Sequence, residues 1–271
     1  MYRNPTKVVH WDFWMFSALG LSIVSTGVNI YATNSLSQNQ SFFDVAKSLL
    51  LISISLIVIN YALEAISNYR ELATDIRLRR TLAQSNDVKS SIINNDINIS
   101  IGVIHFYAFV PGIVFSIIVY LIFIAMSSVH IFYVFILALI LLYFPIKKYV
   151  DWRGEKIQLI RTQRNRLLDD YDYTSENYCK LIEGYSEVYR NFWKRDVSIG
   201  LVFVSLIALS IYCVYYFTPS SENRLATLAV YLLLVSQIRS LVLSLSLFQE
   251  NKRSVSAVEA HIQKAIDGGV K

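Results

Sequence analysis

The chain has 271 residues, a formal net charge of +5 and a mean hydropathy of +0.43, with 54% hydrophobic and 17% charged residues. Its charges gather between long apolar runs, which excludes an ordinary soluble globule and points to a polytopic membrane protein. The basic balance follows from that topology and gives no support to nucleic-acid binding.

Six runs approach or exceed the roughly 20 residues that a helix needs to cross about 30 Å of hydrocarbon. In chain order they are 13–33, 43–63, 103–126, 129–147, 197–217 and 225–248. Lipid offers the backbone no hydrogen-bond partners, so each run is predicted as a helix. The expected fold class is all-α, a single six-helix transmembrane domain over 1–271 in three hairpins with helical cytoplasmic extensions.

The first run is too long for a signal peptide and lacks a small-residue cleavage site after it, so it is read as the first span. All 25 Lys and Arg residues except Lys47, Arg224 and Arg239 fall in 1–12, 64–102, 147–196 and 249–271. This asymmetry predicts cytoplasmic termini and two cytoplasmic loops, 64–102 and 148–196, in what is expected to be a bacterial cytoplasmic membrane. Cys179 then lies on the reducing side and Cys213 inside span five, so no disulfide is expected.

The loops carry helical periodicity. In 64–86, Ile66, Tyr69, Leu72, Ala73, Ile76 and Leu82 recur at helical spacing with no Pro or Gly between them, which predicts a continuation of span two. Residues 147–194 read the same way, with Gly154 and Gly184 their only glycines. After span six, 249–267 reads as one more amphipathic helix.

No phosphate-binding loop, HExxH or CxxC is present, and the histidines are scattered at 10, 105, 130 and 261, so neither an ATPase nor a zinc site is read from this chain. The acids Asp169, Asp170 and Asp172, and Asp87 near Asp96, are expected to be solvated partners of nearby arginines.

The sharpest signal lies in span six. Ser236, Gln237, Arg239, Ser240, Ser244 and Ser246 fall on about half of a helical wheel, opposite Val235, Ile238, Leu241, Val242 and Leu245. A charge at bilayer depth costs at least about 2.5 kcal/mol, so Arg239 is expected to face protein or a water-filled cavity. Two readings follow. The serines permit close packing while Arg239 pairs within the bundle; or the face lines a substrate pathway in which Arg239 attracts anionic groups or gates. Asn29 and Asn60 could share that pathway or bond to neighbouring helices. Glu64 is expected at the inner boundary, and His105 and His130 near opposite ends of the bundle.

The order of spans and loops resembles the membrane domain of ATP-binding cassette (ABC) exporters. NNDINISIGVIHFYAFVPGIV (94–114), with Asp96, is similar to that family's entry to span three. SENYCKLIEGYSEVYRN (175–191), with Glu176 or Glu183, Gly184 and Glu187, resembles the segment before span five. LAVYLLLVSQIRSLVLSLSLFQENKRSVSAVEAHI resembles span six and its exit helix. The resemblance implies a dimer or related hetero-oligomer around a central pathway, driven by a separate ATPase subunit that supplies ATP and Mg, with no cofactor in this chain. Arg77, Arg79, Arg80, Glu183, Gly184 and Glu187 would then form the coupling surface.

A second resemblance implies a different class. SLIVINYALEAISNYRELATDI is similar to the end of the two-span SLATT effector domains of bacterial defence systems, which imply an oligomeric, ATPase-independent pore or membrane-disrupting protein. Both cytoplasmic loops are short for helices that seat a coupling element in an ATPase, which suits the effector plan better.

Overall fold

The computed structural model describes residues 8–9, 11–37, 42–83, 96–169, 175–218 and 221–268. They form six helices: α1 Phe13–Ser37, α2 Phe42–Ala83, α3 Ile97–Ser127, α4 Val129–Asp169, α5 Ser175–Phe217 and α6 Ser221–Gly268. Each contains a stretch long and apolar enough to cross a membrane. The chain is an all-helical integral membrane protein.

Four helices exceed a span by a wide margin. α2, α4, α5 and α6 have 42, 41, 43 and 48 residues, or about 60–70 Å each, twice the hydrocarbon thickness. α6 departs from expectation, because the predicted separate helix at 249–267 is the unbroken continuation of span six. No Pro or Gly occurs between Ser221 and Asp267, so nothing in the backbone ends the helix at the bilayer boundary. Pro111 in α3 and Pro145 in α4 are both accommodated inside helices, as membrane bundles allow.

α6 is the hub and packs against all five other helices. Phe248 stacks on Phe106 of α3 with ring centroids 4.6 Å apart, and the Tyr231 hydroxyl donates to the Ile131 carbonyl of α4 at 3.2 Å. Arg153 of α4 meets Glu250. These pairings run α3 antiparallel and α4 parallel to α6. α5 packs against α4 and α6, whereas α2 packs against α1, α3 and α6.

The core divides in three. The largest cluster joins Tyr231, Leu234, Ile238 and Val242 of α6 to Tyr120 and Ile124 of α3, Phe135 of α4, and Phe203, Leu206 and Val214 of α5. A second ties Val8 near the N-terminus to Leu78, Leu82, Ile97, Val258 and Ile262, so the N-terminal segment and the far end of α6 sit together. The third joins α1, α2 and α3 through Met15, Ala18, Ile59, Leu63 and Ala108.

α1 and α3 approach closely because both present small residues. Ala18, Ser22 and Thr26 recur at four-residue spacing on α1, facing Ala108, Gly112 and Ser116 on α3, and all six are buried. The Thr26 and Ser116 hydroxyls bond at 2.6 Å, and a Cβ at Gly112 would overlap Ser22. This is the small-residue contact by which helices associate in lipid, where the hydrophobic effect between them is absent. Gly112→Val is expected to destabilise the bundle by about 1–3 kcal/mol through overpacking, and Ser22→Gly in that background should restore part of the loss. Thermal unfolding of the purified variants in detergent checks both.

Candidate functional site: the groove between α5 and α6

Sequence places six polar residues of α6 on one face, but the bundle distributes them among different neighbours. Ser236 and Arg239 are exposed, while Gln237, Ser240 and Ser244 are half-buried. Ser244 lines a small recess against Gly102, Val103, His105 and Phe106 of α3. Ser246 is buried, and its hydroxyl donates to the Val242 carbonyl one turn back. The recess belongs to the α3–α6 contact, and of these six polar residues only Ser236 and Arg239 open onto a larger space.

That space is a groove of about 570 Å³ between α5 and α6. Gly200, Phe203, Val204 and Ile207 of α5 form one wall, and Leu232, Val235, Ser236, Arg239 and Leu243 of α6 form the other. Tyr149 and Asp196 close one end. The walls are apolar apart from Ser236 and the arginine.

The contacts of α6 set the depth of Arg239. Tyr231 is bonded beside the α3–α4 junction, and Phe248 stacks on Phe106 near the charged end of the bundle. Arg239 lies between them, about 12–14 Å along the axis from either, and therefore near the middle of the apolar stretch of α6. Among the described residues no acidic side chain pairs with it.

The charged end of the groove holds a network that sequence reasoning missed. Arg153 donates through Nε to Glu250 at 2.5 Å and through Nη1 to the Tyr149 hydroxyl at 3.0 Å and Asp196 at 3.2 Å. The Tyr149 hydroxyl also donates to Asp196. Arg161 donates to the Glu250 carbonyl at 2.8 Å and to Asn251 at 2.7 Å. Gly154 permits this closeness, since a Cβ there would meet Gln249 at 2.8 Å. The available signal was the position of Arg153, Asp196 and Glu250 just past the predicted ends of spans four, five and six.

The other expected pathway residues lie elsewhere. Asn29 is half-buried beside the Tyr120 hydroxyl, a buried oxygen without a hydrogen bond of normal geometry. Asn60 and Glu64 are exposed on α2, away from the groove. His105 bonds Ser67 at 3.1 Å and stacks on Phe109, whereas His130 lies near Phe217.

The expected coupling residues are also dispersed. Arg77 donates to the Val8 carbonyl at 3.0 Å, and Arg79 contacts Asp75 and Asn98 at 2.7 Å each. Arg80 and Glu183 are exposed and Gly184 is half-buried. Asp96 is buried at the start of α3, Cys179 is exposed and Cys213 is buried. Asp87, Asp170, Asp172 and His10, and the side chains of Asp169 and Glu187, lie outside the described residues. Among the described residues no group of His, Cys, Asp and Glu is arranged to hold a metal ion.

No known family model matches the chain, and no curated protein is significantly similar to it.

The network has a mechanical consequence. The Glu250 side chain is only 7% exposed, so Arg153→Met leaves a buried carboxylate without its cation, at a cost on the order of 3 kcal/mol. Arg153→Met should therefore lower the detergent melting temperature more than Glu250→Gln does, and the double variant Arg153→Met/Glu250→Leu should recover much of the loss.

Proposed function

We propose that this chain is the membrane-spanning subunit of an exporter-type transporter, that two copies enclose the α5–α6 grooves as a substrate pathway, and that a separate ATPase subunit drives it. The observation that carries this reading is the exposure of Arg239 at mid-bilayer depth in an apolar groove. Left facing lipid, that charge costs at least about 2.5 kcal/mol. A second copy laid over the groove encloses water or substrate around it, and oligomerisation removes the cost.

The Lys and Arg distribution supports placing the charged end of the bundle, with both termini, on the cytoplasmic side of a bacterial inner membrane. The ends of α4 and α5 then project toward the cytoplasm, with Glu183 and Gly184 near their tip. Arg80 and Glu183 suit docking to an ATPase better than Arg77 and Arg79, whose side chains are engaged within the chain. Arg239 and Ser236 would orient an anionic or amphipathic substrate against the apolar wall, and ATP and Mg would reside in the partner.

Purification under mild conditions from the native host, followed by an ATP hydrolysis assay, tests the proposal. A stoichiometric ATPase that depends on this chain is expected. In inverted vesicles carrying that complex, Arg239→Leu should leave assembly intact and abolish ATP-driven uptake of fluorescent amphiphilic anions, whereas Arg239→Lys should retain part of it. A homo-oligomer that hydrolyses no ATP and arrests growth when overexpressed alone would overturn the exporter reading in favour of a pore-forming effector.

A further inference from the structure

The groove between α5 and α6 carries a cation with no acid at its own depth to balance it. Arg239 is exposed, and among the described residues it has no ion-pair partner. The other titratable side chains that line the groove are Tyr149 and Asp196, at the charged end. Asp196 is held there by Arg153 and the Tyr149 hydroxyl. Arg153 also holds Glu250, eleven positions beyond Arg239, so the carboxylate of the groove lies about 16 Å from Arg239 along the axis. Ser236 is one turn from Arg239 on the same wall, and Phe203, Ile207, Leu232 and Val235 keep the remaining middle of the groove apolar.

Symmetry adds a second charge. On the paired-groove reading above, on which this inference rests, two copies share one orientation in the membrane, so the twofold axis that joins their grooves runs along the membrane normal. Each residue then meets its counterpart at the same depth. The second copy contributes another Arg239 to the enclosed space and brings no acid near it. Two guanidinium groups shut into an apolar enclosure repel each other, and neither can be deprotonated to relieve the repulsion. The compensating charge has to arrive with the occupant.

We infer that the occupant is an amphiphile whose head carries two negative charges, of the phosphate monoester class, gripped by Arg239 of both copies. Three phosphate oxygens accept from the two planar guanidinium forks, and the Ser236 hydroxyls stand beside them as further donors. The alkyl part lies against Phe203, Ile207, Leu232 and Val235. Each groove contributes about 570 Å³, so a pair encloses room for a ligand at the large end of the usual range. A sulfonate has the same three oxygens and one charge fewer, and it leaves one guanidinium uncompensated. Inorganic phosphate has the charge but no apolar part to fill the walls.

Binding and cross-linking on the full-length protein in nanodiscs test this, with empty nanodiscs as the blank. At pH 8, a fluorescent alkyl phosphate is expected to bind at least about tenfold more tightly than the alkyl sulfonate of the same chain, the worth of one charge-assisted contact. Lowering the pH to 5 converts the phosphate to a monoanion, since its second pKa is about 6, and should remove the preference. Arg239→Gln should abolish the preference at both pH values, and Arg239→Lys should keep part of it. Separately, with Cys179→Ser and Cys213→Ala in place, Arg239→Cys should cross-link between copies through a short bismaleimide, whereas Asn60→Cys, exposed on α2 away from the groove, should not. Absence of the Arg239→Cys cross-link would overturn the paired grooves and this inference with them. A cross-link together with equal binding of phosphate and sulfonate, or with equal competition by inorganic phosphate, would overturn the dianionic amphiphile alone.

Discussion

The packing of α6 against α3 fixes the rest of the bundle. In lipid, two helices gain little by hiding apolar surface from each other, and close fit must hold them together. Phe248 on Phe106 and the shared burial of Tyr120, Ile124, Val230 and Tyr231 supply that fit over most of the bilayer depth. Once α6 is seated in this way, α1 and α2 can add on one part of its circumference and α4 and α5 on another. One arc is left uncovered, and Arg239 occupies it.

This division also explains the uneven distribution of polar contacts. α1 and α3 touch through small side chains and a hydroxyl pair. α4, α5 and α6 are joined at their charged ends by Arg153, Asp196, Tyr149 and Glu250. The first device works at any depth because it brings no charge into lipid. The second needs the higher dielectric near the boundary, where the desolvation of an ion pair is smaller. Among the described residues the next polar tie between these helices lies at their opposite ends, where Arg224 of α6 lies over the Tyr215 ring of α5 and donates to the Thr218 carbonyl, so the groove walls are less tightly constrained in the middle than at either end.

Much of this was legible in the sequence. The six apolar runs each fall within an observed helix, and the scarcity of helix breakers in 64–83 and 147–169, where Gly154 is the one glycine, correctly indicates that α2 and α4 continue past their apolar runs. The segment 249–267 reads as one more helix because the composition changes at Gln249, although the backbone has no reason to break there and α6 runs on without interruption. The polar half of α6 illustrates a further limit. A helical wheel records angles about one axis, but whether Ser246 packs, Ser244 faces α3 or Arg239 stays open is decided by the other helices. The Arg153–Glu250 pair spans 97 positions, and no periodicity within either helix signals it.

Ser128 alone separates α3 from α4, and it is extended between two helices that run in opposite directions. During synthesis, α3 therefore cannot settle in the bilayer and wait for α4 on a slack tether. The two must enter together as one folded-back unit, and whichever way α3 is oriented, α4 has no freedom to choose otherwise. An error in the orientation of α3 would thus carry α4 with it and set the Arg153 network on the opposite side of the membrane from Glu250, leaving a chain that fails at biogenesis.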